Sequence, residues 1–260
     1  MSHTENTPLL EVRNLKKYFG KKDRVLHAVD DISVTIQQGK TLGVVGESGC
    51  GKSTIAGILA AKNRGYAGSI TLGGVPLSEV NETDLMKHVV LVRHNSYLFK
   101  GTVEENLRMA KPDATKEEME AVLQKVNLLG FLQTQNGLQT ELLEKAGNLS
   151  GGQCQRLVIA RALLRSDSAV YIFDEAASNI DVESEELIMN VIHELAKTKT
   201  VLLISHRLAN VVQSDQIYFL KNGTICERGT HAELMEQNGA YCHLYDSQMV
   251  LENYGKEGNA

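Results

Sequence analysis

Residues 41–61 read TLGVVGESGCGKSTIAGILAA and carry the clearest indication of fold class in the sequence. Thr41–Val45 has the apolar, partly β-branched character of a buried strand, and Thr54–Ala61 has the pattern of a helix. Between them lies G-x-x-x-x-G-K-S, whose glycines let backbone N–H groups turn towards phosphate oxygens at the start of a helix. We expect Lys52 to bridge the β- and γ-phosphates of a nucleotide and the Ser53 hydroxyl to ligate Mg²⁺. The candidate nucleotide-binding residues of the loop are Gly46, Glu47, Ser48, Gly49, Cys50, Gly51, Lys52, Ser53 and Thr54.

Further apolar runs have the length and composition of buried strands. They are Val89–Val92, Val170–Phe173, Val201–Ile204 and Gln216–Leu220. Helical patterns lie between them, for example after the capping box that Thr115 and Glu118 form. Strands that alternate with helices predict an α/β fold with a mostly parallel sheet. The interval 101–165 has helical patterns and no clear strand, so we expect a helical subdomain inserted into the core.

Composition excludes several classes of protein. The 260 residues are 42% hydrophobic and 23% charged, with a net charge of −5. This is the composition of a globular protein, and the mild acidity gives no reason to expect a nucleic-acid partner. Four cysteines without CxxC spacing favour a reducing cytosol over a disulfide framework or a zinc site. We expect no membrane span and no secretory signal, and we expect residues 1–8 and 251–260 to be flexible tails.

Polar side chains follow two of the predicted strands. Val170–Phe173 leads into Asp174 and Glu175, where we expect Asp174 to partner Mg²⁺ and Glu175 to polarise an attacking water. Taken alone, an acidic pair that only caps the next turn is the alternative. Val201–Ile204 leads to His206, and because parallel sheets gather ligands at the carboxyl ends of their strands, His206 is a candidate contact for the γ-phosphate.

The segment Leu149–Gln153 reads LSGGQ and precedes a helical run. Ser150 and Gln153 fit a capping box, so a well-capped helix is one interpretation. Two successive glycines, Gly151 and Gly152, weaken a helix start and expose backbone N–H groups, so a second phosphate-binding surface is the sharper hypothesis. The helix leads towards the strand that ends in the acidic pair, which places its start better for meeting the ATP of another molecule.

Together these motifs resemble the ATP-binding cassette of ABC transporters over roughly residues 9–248. The motifs that carry the resemblance are GESGCGKST (46–54), LSGGQ (149–153), VYIFDE (170–175), SNID (178–181) and ISHRL (204–208). Three segments look like exporter cassettes, namely LFKGTVEENL (98–107), ISHRLANV (204–211) and GTHAELMEQNGAY (229–241). VRNLKKYFG (12–20) and GESGCGKST (46–54) look like peptide importers, so the direction of transport stays open.

The resemblance implies a phosphate-loop NTPase core with an N-terminal antiparallel β subdomain. Its ATPase domain would span residues 9–250, with the core at 9–100 and 166–250 and the helical subdomain at 101–165. It implies Mg²⁺ and ATP as cofactors and a head-to-tail dimer with a second cassette, identical or different. Each of two ATP molecules would lie between one phosphate loop and the partner's Ser150, Gly151, Gly152 and Gln153.

The resemblance further implies membrane-spanning permease partners and a peripheral position on the cytoplasmic side of a membrane. An aromatic residue near the N-terminus would stack on adenine, and Phe19 matches that place best, with Tyr18 the alternative. A half-buried strand residue is the other interpretation of Phe19.

Two positions depart from the family pattern. His94 stands where the family usually has a glutamine that ligates Mg²⁺, and Asn179 stands where alanine is common, while Asp181 matches. Histidine is shorter than glutamine but can still donate or accept a hydrogen bond, so His94 is kept as a candidate Mg²⁺ contact. A soluble ABC ATPase acting on ribosomes or DNA, and a weakly hydrolysing regulatory cassette, are the alternatives to a transport ATPase.

Overall fold

A computed structural model describes residues 8–21, 24–178 and 180–257. Predictions for residues 1–7, Asn179 and 258–260 fall outside these residues. The described chain divides into two units: one contains the residues up to Met86 and from Lys199 onwards, and the other is Lys87–Thr198.

The strands alternate with helices along most of the chain. In order, the strands are β1 (Leu10–Lys21), β2 (Arg24–Ile36), β3 (Thr41–Gly46), β4 (Ala67–Leu72), β5 (Val75–Pro76), β6 (Val89–Arg93), β7 (Gly101–Thr102), β8 (Glu141–Leu142), β9 (Val170–Asp174), β10 (Thr200–Ile204), β11 (Gln216–Lys221) and β12 (Thr224–Gly229). The helices are α1 (Lys52–Leu59), α2 (Glu82–His88), α3 (Val103–Arg108), α4 (Lys116–Lys125), α5 (Leu129–Gln133), α6 (Gly151–Leu163), α7 (Val182–Ala196), α8 (His231–Glu236) and α9 (Ala240–Glu257). Short 3₁₀ turns lie at Gly137–Gln139, Glu144–Ala146 and Leu208–Val211.

The first unit contains an antiparallel sheet and a mostly parallel one. The antiparallel sheet has the order β2-β1-β4-β5. In the other sheet, β3 lies between β10 and β11 and is parallel to both, and β12 pairs antiparallel with β11. Every residue of β3 and β10 is buried, which explains their nearly continuous apolar sequences.

The second unit contains the parallel pair β6 and β9 and most of the remaining helices. Strand β9 is buried along its whole length. The capping box predicted at Thr115 and Glu118 is confirmed at the start of α4, and apolar residues of α4 that include Met119 and Leu123 are buried. The predicted α/β fold with a mostly parallel sheet and an N-terminal antiparallel part is therefore confirmed.

Two intervals contain secondary structure that the sequence patterns did not indicate. The interval 101–165 does contain strands, because β7 and β8 pair there over two residues each, which is too short for a periodic pattern. This interval belongs to a unit that also includes β6, β9 and α7. Helix α9 continues as far as Glu257, and the flexibility expected from residue 251 onwards stays a prediction.

In the described part of the chain, no helix combines the length and apolar character that a membrane crossing requires.

Candidate functional site

The phosphate loop connects β3 to α1 in the first unit. Gly51 has φ +100°, and a Cβ atom there would lie 2.0 Å from the Ala28 carbonyl oxygen of β2, so only glycine fits. Within the described structure, no side chain caps the start of α1, and the positive end of the helix dipole at this position favours an anion. Exposed loop residues are Glu47, Ser48, Gly49 and Ser53; Thr54 is half-buried, and Gly46, Cys50, Gly51 and Lys52 are buried.

Lys52 is folded back over its own loop. Its ammonium donates to the Gly46 carbonyl at 2.7 Å and to the Glu47 carbonyl at 2.9 Å, and Cys50 Sγ lies 3.5 Å away. The side chain is nearly inaccessible, so the cation is held inside the loop by neutral carbonyl groups. A charged group held by neutral dipoles can strengthen its contacts when phosphate oxygens arrive.

His206 follows β10 in the same unit and is exposed. Ile204 lies opposite Val44 in the parallel ladder of β10 and β3, so His206 and the phosphate loop lie at the same edge of the sheet. The backbone around the histidine is fixed by Gln248 of α9, whose Nε2 donates to the His206 carbonyl at 2.8 Å. The Oε1 of Gln248 accepts from the Leu208 N–H at 2.9 Å. Sequence reasoning missed Gln248, because a contact across 42 residues leaves no local signal.

Phe19 and Tyr18 are neighbours on β1 and are both about two-fifths exposed, at 41% and 39%. The Tyr18 ring stacks on His27 at 4.0 Å, and its hydroxyl donates to Asp30 at 2.5 Å. Phe19 has the Lys17 ammonium 4.9 Å from its ring centre. Tyr18 is therefore already committed to other side chains, which leaves Phe19 the better candidate for stacking on a base.

The acidic pair ends β9 in the second unit. Asp174 is buried, and its Oδ2 lies 3.4 Å from Arg93 Nε. Glu175 has φ +53°, a left-handed conformation that is strained for a residue with a side chain. Both the N–H and the hydroxyl of Ser178 donate to the Glu175 carbonyl, at 3.1 and 2.9 Å, and hold this turn. A strained backbone at a half-buried carboxylate is common at functional sites.

His94 follows β6, the parallel neighbour of β9, and is exposed. Its N–H donates to the Asp174 carbonyl at 3.3 Å, so His94 and Glu175 follow strand ends at one edge of this sheet. Helix α6 also contacts the segment, because Gln155 Nε2 donates to the Arg93 carbonyl at 3.3 Å. His94, which stands where the family usually has glutamine, is thus well fixed through its backbone.

The LSGGQ segment starts α6 with the predicted capping box. Ser150 Oγ accepts from the Gln153 N–H at 3.2 Å, and Gln153 Oε1 accepts from the Ser150 N–H at 2.9 Å. A Cβ atom at Gly152 would lie 2.8 Å from the Cβ of Ser184, so Gly152 permits close packing against α7. At Gly151 the nearest described atom would be Cγ2 of Ile180, at 3.9 Å, so its outer side is open.

Asp181 is the N-cap of α7, next to this close packing. Its Oδ1 accepts from the Ser184 N–H at 2.8 Å. Hydrogen bonds from the backbone and side chain of Ser184 lower the pKa of the exposed Asp181 carboxyl, which keeps it ionised. The starts of α6 and α7 thus form one polar cluster in the second unit.

The predicted residues fall into two groups. The first unit carries the phosphate loop, Phe19 and His206, and the second carries His94, the LSGGQ segment, Asp174 and Glu175. The ladder of β3 and β10 places the phosphate loop and His206 at one sheet edge, and the ladder of β6 and β9 does the same for His94, Asp174 and Glu175.

Comparison with known proteins gives consistent results. Residues 29–178 match the family model described as ABC transporter. A Haemophilus influenzae protein, described as an uncharacterized ABC transporter ATP-binding protein, is 43% identical over 256 residues, which cover 98% of this chain and 45% of that protein. The ATP-dependent lipid A-core flippase of Vibrio cholerae is 43% identical over 223 residues, covering 85% of this chain and 38% of the flippase.

A solved structure agrees with these relatives. The ATP-bound structure of a bacterial Atm1-family ABC exporter matches with a TM-score of 0.84 and 31% identity, over 94% of this chain and 42% of that one. The chain therefore spans less than half the length of these relatives. Its ordered motifs, its fold and these matches show that the chain belongs to the ABC transporter family, as an ATP-binding cassette.

Proposed function

We propose that this cassette hydrolyses ATP to power movement of a substrate across a membrane. The observation that carries the proposal is the phosphate loop, in which the buried Lys52 and the uncapped start of α1 form a site for phosphate groups. The cassette would work at the cytoplasmic face with membrane-spanning segments and with a second cassette. Outward transport is the proposed direction, because relatives with a stated activity or class are a flippase and an exporter.

The proposed chemistry is in-line attack of water on the γ-phosphorus. Glu175 orients the water and accepts its proton, the bond to the β–γ bridging oxygen breaks, and ADP leaves with that electron pair. Lys52 and His206 stabilise charge on the γ-phosphate, and Phe19 stacks on the adenine. The partner cassette's LSGGQ segment, with its open Gly151, would close over the same ATP.

Each side chain proposed for the accompanying ion has a donor that suits Mg²⁺. Asp174 offers a carboxylate and Ser53 a hydroxyl, and oxygen donors are those that Mg²⁺ prefers. Among the described residues there is no group of three or more His, Cys, Asp or Glu side chains that would form an all-protein cage. Mg²⁺ is usually held by one or two protein ligands and substrate phosphates, so this sparse set is suitable. When bound, the ion would neutralise developing charge on the β- and γ-phosphates, and His94 is a further candidate contact.

The two alternatives have weaker support. The relatives named by activity are transport proteins, which disfavours a role on ribosomes or DNA. A weakly hydrolysing regulatory cassette rests on His94 alone, since Lys52, Glu175 and His206 are all present.

The test is ATP hydrolysis by the purified chain in the presence of Mg²⁺. We expect Lys52→Ala and Glu175→Gln to lower kcat by about a hundredfold or more, the usual cost of losing a charge clamp or a general base. Lys62→Ala removes an exposed lysine just after α1 and is the matched control, for which the rate should be unchanged. Wild-type activity in Glu175→Gln would contradict the role given to this carboxylate.

A further inference from the structure

Arg93 lies directly opposite Asp174 in the parallel ladder of β6 and β9. The register pairs Val92 with Phe173 and Arg93 with Asp174. Residues at paired positions in a ladder project from the same face of the sheet. The backbone register therefore places the Arg93 guanidinium beside this carboxylate, and the distance from Nε to Oδ2 is 3.4 Å.

The peptide unit between Arg93 and His94 is held by two hydrogen bonds. The Arg93 carbonyl accepts from Gln155 Nε2 at 3.3 Å, and the next N–H, that of His94, donates to the Asp174 carbonyl at 3.3 Å. Arg93 thus has little freedom to move its Cα away from Asp174. A displacement of the guanidinium has to come from rotation of its side chain.

The ion pair is close but incomplete. The Asp174 side chain is only 4% exposed, whereas the Arg93 side chain is 33% exposed. Nε of Arg93 is itself buried and has no hydrogen-bond acceptor among the described residues, so its charge is near the carboxylate without a well-formed hydrogen bond. A buried donor without an acceptor costs free energy, and such a contact gives way more easily than a bidentate one.

We propose that Arg93 is an internal cation that competes with the divalent metal for Asp174. The guanidinium pairs with the carboxylate when no metal nucleotide is bound, and it must rotate away before Asp174 can serve the ion. Arg93 thereby weakens the dependence of nucleotide binding on Mg²⁺. This inference rests on the proposed function, because it assigns Asp174 to the metal.

The experiment measures the dissociation constant of the non-hydrolysable analogue AMP-PNP by calorimetry, once with Mg²⁺ and once with EDTA. The dissociation constant in EDTA divided by that with Mg²⁺ gives a ratio that reports how strongly the metal supports binding. The measurement requires no turnover. Arg93→Met, or Arg93→Gln if the methionine variant does not fold, should raise this ratio by about tenfold, the scale of one partly buried charge pair. Arg93→Lys keeps the charge and should remain near wild type.

Two further variants control the experiment. Arg108→Met removes an arginine of the same unit that is 39% exposed and pairs with Glu104 at 2.8 Å, and it should leave the ratio unchanged. In an Asp174→Asn background, Arg93→Met should no longer raise the ratio, because the carboxylate for which the two cations compete is gone.

The outcomes separate the two proposals. An unchanged ratio in Arg93→Met, with AMP-PNP still bound, would overturn the inference and leave the proposed function standing. A lower affinity in EDTA without a higher ratio would also overturn it, because Arg93 would then contact phosphate directly. If wild-type protein does not bind AMP-PNP with Mg²⁺, the proposed function fails and the inference fails with it.

Discussion

At the scale of single residues, the two glycines of LSGGQ have different physical requirements. Gly152 is needed for packing, since a Cβ there would come within 2.3 Å of Ser184 Oγ and 3.0 Å of Asp181 Oδ2. Gly151 has no such constraint among the described atoms of its own unit, and its side chain position is open. We propose that the glycine at position 151 leaves room for an approaching ligand.

Gly151 and Gly152 are adjacent glycines and allow a matched pair of variants. Gly152→Ala should lower the free energy of unfolding by about 1–3 kcal/mol, as overpacking does. Gly151→Ala should change it by less than about 0.5 kcal/mol while abolishing ATP-dependent pairing of cassettes. Urea unfolding and sedimentation measure the two effects. Equal destabilisation by both variants would contradict the distinction.

The residues named from sequence lie in contiguous motifs. Glu175 and His206 each follow a strand whose apolar run is visible in the sequence, and Lys52 starts the helix after such a strand and its loop, so their positions could be predicted. Arg93 and Gln248 could not, because their importance depends on cross-strand register and on a contact between distant segments. Sequence patterns report periodicity along an element and carry no information about which elements become neighbours.

At the scale of elements, α9 contributes to the site without carrying any motif. Gln248 makes two hydrogen bonds to the backbone that follows β10, one on each side of Arg207. A side chain that both donates and accepts in this way fixes the direction of the peptide chain at His206. The last helix therefore positions the histidine, although the sequence suggested a tail only a few residues further on.

Gln248→Leu should lower kcat for ATP hydrolysis by about tenfold, since small misplacements of a catalytic group are costly. KM for ATP should change less, because the phosphate loop is untouched. Gln248→Glu keeps the acceptor for the Leu208 N–H and loses the donor to the His206 carbonyl. Its kcat should therefore fall between those of wild type and Gln248→Leu. Gln237→Leu, which replaces an exposed glutamine after α8, is the control. A change in KM alone would refute the positioning role.

Strand β9 also has a pH-dependent contribution to stability. The Tyr171 side chain is 1% exposed, and its hydroxyl donates to the Arg165 carbonyl at 2.7 Å, linking β9 to the segment after α6. Burial raises the pKa of Tyr171 to about 12, because the phenolate would be poorly solvated. The folded state thus favours the neutral form of Tyr171, which contributes to the free energy of unfolding. This contribution is complete below the unfolded pKa of about 10 and is lost as the pH rises from there through 12.

Tyr171→Phe should cost about 1 kcal/mol at pH 7, the usual contribution of one buried hydrogen bond. Between pH 10 and 12 the variant should lose less stability than wild type does, so the two unfolding curves should converge. Urea unfolding at pH 7, 10.5 and 11.5 measures this difference. Tyr97→Phe, at a ring that is 43% exposed, is the control and should follow wild type. Parallel pH profiles for Tyr171→Phe and wild type would contradict the assignment.

At the scale of the whole molecule, the residues proposed for the nucleotide sites fall into two sets, one in each unit. The phosphate loop and His206 lie in one, and the acidic pair and LSGGQ lie in the other. The mostly parallel sheet could be predicted, because strands buried on both faces give continuous apolar runs. The two-residue strands β7 and β8 could not, since such short segments have no period.

We propose that two cassettes close around two ATP molecules. Native mass spectrometry of Glu175→Gln with Mg²⁺ and ATP tests this pairing, because the variant should bind ATP without consuming it. We expect a species of two chains with two ATP molecules, which is absent without ATP and absent when Lys52→Ala is added. Single chains that carry ATP and never pair, or pairs that form equally well without nucleotide, would show that ATP does not join the cassettes.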